Sequence, residues 1–352
     1  MRTPHVNLYK APRKQGFGGR FERKMVAGGR TVNGPGAVLA RALAVTVAVA
    51  ATLGAARAVA AEPVYDPPVG SRWVVESEVR GEETRPEGST TSVVRTRAEL
   101  TVEEKTADGF RISWVQRGAT VEGNARNTAL RRAYAGVLEN VVIRAITDSS
   151  GKPLRIDNLD EARAAMRRSA DGLAAQFSEM PAARGLFEQL ISELTEVDAA
   201  GAASAYVDTL AVLAVAQNTG MKPGEFRWTS KPAENPLGGD GLNSNERFEL
   251  VEADAAGRLT FVNVTSIDAA SMNDFMQFFA KSLLAASGDS VTPARVDLLV
   301  KSMLFSFDKR AEFEVEGGMT RKVSEKSTTV FRAMEQNLIQ TEARTITVTR
   351  AP

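Results

Sequence analysis

"SVVRTRAELTVEE", residues 92–104, alternates between two kinds of side chain. Val94, Thr96, Ala98, Leu100 and Val102 fall on one side of an extended chain. Val93, Arg95, Arg97, Glu99, Thr101 and Glu103 fall on the other. Successive side chains of a strand point to opposite faces, so this pattern describes a strand with one buried and one wet face, as in antiparallel sheets. The segment "GFRISWVQ" at 109–116 repeats it, with Phe110, Ile112 and Trp114 on the apolar side after the turn "TADG". "RWVVESEV" at 72–79, "ENVVIRAIT" at 139–147 and "KPLRI" at 152–156 also read as strands, the last two joined by "DSSG".

Helical spacing takes over after residue 157. Asn158 heads "LDEARAAMRRSADGLAAQF", and Glu161 three positions on completes the pattern of a capping box. Leu159, Ala162, Met166, Leu173 and Phe177 form its apolar stripe. "PAARGLFEQLISELTEV" at 181–197 and "SAYVDTLAVLAVAQ" at 204–217 are expected as two further helices. Strands return at Phe226 and Trp228, before a Gly-rich loop over 234–246, and again in "RFELVEADAAGRLTFVNVTSI" at 247–267. Two helices are expected to open at Ser271 and at Thr292-Pro293, where proline suits the first helical position. The remainder, "FSFDKRAEFEVEGGMTRKVSEK" and "TEARTITVTR", is strand-like, with Gly317-Gly318 as a hairpin signal. The fold class is therefore α+β: a curved antiparallel sheet packed against several helices. The sequence also hints at duplication. "VGSRW" resembles "PGEFRW", "TRAELTVEE" resembles "ERFELVEA", and a third copy begins at Lys309, so related halves at 62–220 and 221–352 are expected.

The front of the chain is of another kind. Ala42 to Ala56 is an uncharged run of Ala, Val, Leu, Thr and Gly between Arg41 and Arg57. It is shorter than the roughly 20 residues a spanning helix needs and matches the apolar core of a secretory signal. Ala58-Val59-Ala60 offers the small residues of a cleavage site, with Val59-Ala60-Ala61 as the neighbouring choice. Residues 1–61 are therefore expected to be an extended leader with a cleavable signal peptide, and Met25 is an alternative start. Residues 62–352 are expected to be a single domain, exported to the periplasm or secreted, without a stable membrane span after cleavage.

Removing that leader changes the chemistry available. Ten of the 44 Lys and Arg residues but only one of the 43 acids lie in residues 1–61, so the remainder is acidic by about eight charges. An acidic domain without a basic stripe excludes nucleic acid as a partner. His5, the one histidine, is also in the leader, and the chain has no cysteine. Imidazole and thiolate nucleophiles, ordinary zinc sites and disulfides are thereby excluded from the exported part. No catalytic residue, metal ligand or cofactor is assigned.

The greasiest cluster is Met272, Phe275, Met276, Phe278, Phe279, Met303, Phe305 and Phe307. These soft side chains are the candidate ligand-binding residues for an apolar small molecule or lipid. Five positions of the first helix, including 272, 275, 276 and 279, equally have the spacing of a core-facing stripe, from which Phe278 departs. Other constellations are weaker. Arg95, Arg97, Glu99, Glu103 and Arg111 read as a solvated strand face with cross-strand ion pairs. Asp240, Asn243, Asn245 and Glu246 lack the alternating acids of a calcium loop and read as a plain loop. Ser149/Lys152 and Ser306/Lys309 match a serine–lysine dyad in spacing but lack its companion motifs. Trp73, Trp114 and Trp228 sit in strand patterns and are expected in the core. The reading is an exported, non-catalytic envelope protein that binds an apolar small molecule or an envelope protein partner. A carboxylate-dependent hydrolase of envelope polymers is the alternative, and a structural or assembly factor without a pocket is the second.

The leader reading makes a direct prediction. Intact-mass measurement on the product from its native cell is expected to place the amino terminus at Ala61 or Glu62; a mass that retains His5 would overturn it.

Overall fold

A computed structural model describes residues 64–124, 128–233, 242–287, 291–333 and 336–352. The signal-peptide and cleavage readings lie outside these residues, as does Asp240. The described chain opens with a hairpin series: β1 (Arg72–Arg85), β2 (Gly88–Lys105) and β3 (Gly109–Gly123). Helix α1 (Thr128–Gly136), which sequence periodicity did not suggest, is followed by β4 (Val142–Asp148) and β5 (Pro153–Ile156). Helices α2 (Leu159–Ala174), α3 (Pro181–Glu196), α4 (Ala199–Tyr206) and α5 (Asp208–Ala214) come next, with a short 3-10 turn at Ala175–Phe177. Strands β6 (Phe226–Ala233), β7 (Leu242–Ala253) and β8 (Leu259–Ile267) lead to α6 (Ala269–Ser287) and α7 (Pro293–Ser302). The chain finishes on β9 (Leu304–Glu316), β10 (Met319–Ala333) and β11 (Gln336–Arg350).

All eleven described strands belong to one open antiparallel sheet in the order β5-β4-β3-β2-β1-β11-β10-β9-β8-β7-β6. Two meanders, β1–β5 and β6–β11, are thus joined where the first strand pairs with the last, over twelve registered pairs from Trp73/Arg350 to Thr84/Ile339. Helices α2–α5 carry the chain from one edge of the sheet to the other. If the sheet were flat, β4 and β6 would lie about 43 Å apart, nine strand spacings. Yet the β4–β5 turn and β6 line a single cleft, and the Asn218 side-chain amide donates to the Ser149 carbonyl at 2.7 Å. The sheet is curved, and the helices occupy its concave face.

The alternation in residues 92–104 is borne out. Ala98, Leu100 and Val102 are buried with Trp73, Val75, Phe110, Ile112 and Trp114. The opposite face is a lattice of ion pairs: Arg95 to Glu78 and Glu122, Arg117 to Glu99, Arg144 to Glu103, and Arg111 to Glu104 and Asp157. Hydrogen bonds from Arg80 and Arg95 hold the Glu78 carboxyl below its ordinary value. Such exposed pairs each contribute little to stability.

Several expectations are corrected. Trp228 is 64% exposed, on the edge strand β6, and Phe226 beside it is 52% exposed; alternation there marks faces, but among the described residues no layer covers either one. The segment read as a loop at 242–246 is strand, because Leu242 to Glu246 pair with β6 and Ser244 to Glu246 pair with β8 as well. The helix expected at 204–217 is broken at Val207, whose φ of −134° and ψ of 40° are not helical. Asn158 occupies the N-cap position without a side-chain cap. Its side chain instead accepts from the Arg144 amide at 2.7 Å and donates to the Val142 carbonyl at 2.9 Å, tying the helix entrance to β4.

The segment ahead of β1 is tied down as well. Tyr65 is buried, its ring edge-on to Phe110 at 5.4 Å, and its backbone amide donates to Asn218 Oδ1 at 2.6 Å. Burial pushes its phenol well above the ordinary value. The backbone of Val64 and Tyr65 runs over the β9–β10 turn, where Gly317 and Gly318 both have positive φ, at 59° and 80°. Two such residues make the type I′ turn that suits strand twist. A Cβ on Gly318 would lie 2.2 Å from the Val64 carbonyl oxygen, whereas one on Gly317 meets open space. Gly317→Ala is therefore expected to cost about 1–2 kcal/mol, the left-handed penalty alone. Gly318→Ala is expected to cost clearly more, because the amino-terminal segment must also move; urea unfolding midpoints of the two variants check this order.

Candidate functional site

The concave face carries two apolar clusters at opposite ends of the same strands. On β9, Phe305, Phe307, Lys309, Ala311, Phe313 and Val315 are alternate residues and share one face. Ala311, Phe313 and Val315 belong to the main core beneath α1–α5. Phe305 and Phe307 belong to a second core beneath α6 and α7. Lys309 lies between them.

The second core contains most of the candidate ligand-binding residues. Phe275, Met276, Met303 and Phe305 are buried in it, and Met272, Phe279 and Phe307 pack against it half-buried. Phe278 points away and is 54% exposed. Four rings form the centre. Phe275 meets Phe305 at 5.7 Å and Phe279 at 6.0 Å, while Phe331 meets Phe279 at 5.3 Å and Phe305 at 6.4 Å. Offset and edge-on rings at these distances add to the burial itself. The Thr292 hydroxyl caps α7 by accepting from the Arg295 amide, and the Ser271 hydroxyl accepts from the Asn243 amide, pinning α6 to β7 at 2.8 Å.

Phe331 is the site residue that sequence reasoning missed. Counting back from the 317–318 hairpin pairs residue 305 with 330. A bulge between Thr320 and Lys322 shifts the register by one, and Phe331 stands opposite Phe305. One extra residue turns every later side chain of β10 over. No local signal in the sequence marks that bulge.

Between the two cores runs a polar row, readable directly from the strand registers. Thr229, Glu246, Thr265, Lys309, Ser327, Glu342, Gly81 and Ser92 are successive cross-strand partners from β6 to β2. Two of its charges are paired diagonally. Lys309 reaches Glu325 at 2.9 Å and Lys231 reaches Glu246 at 2.8 Å. Arg344, largely buried, donates to Asp208 Oδ2 at 3.0 Å and to Thr209 Oγ1 at 2.9 Å. The break at Val207 is what brings the first turn of α5 onto this arginine. Thr320 Oγ1 donates to the Leu213 carbonyl at 2.7 Å and holds the far end of the same helix.

Chemically, this face offers an apolar floor under a two-helix cover, bounded by a charged row. Among the described residues no helix is long and apolar enough to cross a membrane. Among them, too, no group of three or more carboxylates or imidazoles converges as a metal site would require.

No protein-family model matches the chain, and no curated protein matches it. Among solved structures it is similar to lipovitellin, in a structure describing lipid–protein interactions in that protein. The TM-score is 0.40 and the identity 8%, over 82% of this chain and 26% of that one. An outer membrane channel from Pseudomonas putida F1 gives a TM-score of 0.20 at 8% identity, over 81% of this chain and 97% of that one. The chain spans about a quarter of the length of the lipovitellin chain it matches. These scores carry no argument about function.

The polar row predicts a specific coupling. Lys309→Met leaves Glu325, whose side chain is 13% exposed, without its partner, and is expected to cost about 1–3 kcal/mol. Lys309→Met combined with Glu325→Gln is expected to recover part of that loss in a double-mutant cycle read by urea unfolding. Additive costs would show that the pair is not coupled.

Proposed function

We propose that this is an exported, non-catalytic envelope protein that binds an apolar small molecule between helices α6–α7 and the apolar end of the sheet. The observation that supports it most is the segregation of the second core. It shares a face with the main core but is separated from it by the polar row, and both of its covering helices come from one insertion between β8 and β9. The floor residues Phe305, Phe307 and Phe331 lie on long strands anchored at their other ends in the main core. Displacing the two helices therefore exposes a small apolar surface without dissolving the sheet. Met272, Met276 and Met303 supply side chains that repack at little cost around a guest. Phe278 and Leu298, 54% and 71% exposed on α6 and α7, give the cover an apolar outer surface as well. Export follows from the short apolar run at 42–56 and the small residues after it. Without histidine or cysteine in the exported part, binding rather than nucleophilic catalysis is the role these side chains suit.

The test is direct. Protein purified from its native envelope is extracted with organic solvent, and the extract is analysed by mass spectrometry; a lipid or other apolar compound in about 1:1 ratio is expected. In parallel, delipidated protein is titrated with a fluorescent apolar probe such as N-phenylnaphthylamine. Phe307→Lys, at a half-buried floor position, is expected to weaken probe binding roughly tenfold, a loss of about 1.4 kcal/mol, with its unfolding transition retained. Empty extracts together with no saturable probe binding would sink the proposal.

A further inference from the structure

A second site is suggested at the seam where the two ends of the curved sheet approach. A cleft of about 380 Å³ lies there, within the range of small-molecule pockets. Ser150 and Lys152 of the β4–β5 turn, Gln217 and Asn218 after α5, Arg227 on β6 and Phe248 on β7 line it, together with the small apolar face of α5. It is remote in the fold from the α6–α7 core and independent of the role proposed there.

Three features indicate the chemistry that would fill it. The first is charge: among the described residues, two cations and no carboxylate line the cleft. Arg227 gives one guanidinium nitrogen to the Thr219 carbonyl at 2.6 Å, which orients the group and leaves its other donors available. The acids nearest in sequence are committed elsewhere: Glu249 to Arg247 at 2.7 Å, Glu225 to the Lys222 amide at 2.9 Å, and Asp148 to its own turn, accepting from the Ser150 amide and hydroxyl and from the Lys152 amide at 2.6–3.0 Å. The second is an acceptor without a donor. Gln217 is 6% exposed; its amide nitrogen donates to the Leu213 carbonyl at 3.0 Å, while Oε1 is buried with no partner. A buried polar atom left in this state is costly; Oε1 has no accessible surface of its own, but Gln217 lines the cleft, and turning its amide toward a bound group able to donate would relieve the cost. The third is rigidity. Asn218 adopts a left-handed φ of 54° and is held on both sides, by the Tyr65 amide and the Ser149 carbonyl. The wall of the cleft is therefore built from long-range bonds, not from a loose loop.

We propose that this cleft binds a small anion that carries a hydroxyl group beside its charge, a phosphate monoester or a carboxylate with a neighbouring alcohol. The anionic group lies between Lys152 and Arg227, the Gln217 amide turns so that the hydroxyl donates to its Oε1, and the carbon skeleton rests on Phe248 and α5. Arginine and lysine together suit such a group, the first by its fixed fork of donors and the second as a point charge.

The experiment is ligand-observed NMR on the full chain with four probes: glycerol 3-phosphate, glycerate, methyl phosphate and glycerol. Saturable binding of glycerol 3-phosphate or glycerate is expected, and the stronger of the two identifies the anion. Methyl phosphate, which lacks the hydroxyl, and glycerol, which lacks the charge, are each expected to bind roughly tenfold more weakly or not at all. Arg227→Gln, at an exposed position, and Lys152→Gln are each expected to weaken binding by a similar factor without altering the unfolding midpoint. Gln217→Leu is expected to erase the preference over methyl phosphate. No saturable binding of either hydroxylated anion, methyl phosphate binding equally well, or affinity indifferent to both cation substitutions would each overturn the proposal.

Discussion

The pairing of β1 with β11 is the interaction on which the molecule depends. Each meander is built from neighbours in sequence, joined by short turns or by helical excursions. Only the ladder from Trp73/Arg350 to Thr84/Ile339 makes them one sheet. Without it, the main core would lose its continuity, because Trp73, Val75, Ile346 and Val348 sit on those two strands and pack at its middle. The ladder joins the two ends of the described chain, so its loop-closure cost is high and it is expected to form late in folding. It also sets Val64 and Tyr65 beside the β9–β10 turn, where the backbone of one segment covers the glycines of another.

That single sheet then has to serve two cores. Long strands such as β9 and β10 present alternate residues to one concave face along their whole length, and helices cover that face in two groups. Where neither group reaches, the inward positions become polar. Lys309 pairs with Glu325, and Arg344 pairs with Asp208 in the first turn of α5. The row therefore acts as a boundary: it keeps the small α6–α7 core from merging with the main one, and the smaller unit can rearrange while the larger stays intact. Both proposed sites follow from the same curvature, one under the cover at one end of the strands and the other in the seam between edges.

Much of the architecture was legible because it depends on local patterning. The period of two in residues 92–104 located β2 and its wet face, and the turns at 106–109, 148–151 and 317–318 located its neighbours. The Thr292-Pro293 start of α7 was equally plain, since both the cap and the proline act within one turn. What misled was always a partner distant in sequence. Asn158 has the composition of a cap but bonds to β4. Trp228 has the alternation of a core residue but lies, largely exposed, on an edge strand. Phe331 completes the ring of aromatics only because a bulge ten residues earlier inverts its strand.

By itself, then, the sequence determined the kinds of elements, the face of most strands that turns inward, the greasy composition of α6 and the absence of imidazole and thiol from residues 62–352. These follow from side-chain periodicity and residue type, which need no partner. The tertiary structure alone decided which edges remain open, that two cores share one face, where the polar row falls, and that Lys152 and Arg227 line one cleft at the seam. Those are matters of register and curvature. A shift of one residue inverts a strand, and the closing of a sheet is set by many small twists summed over eleven strands.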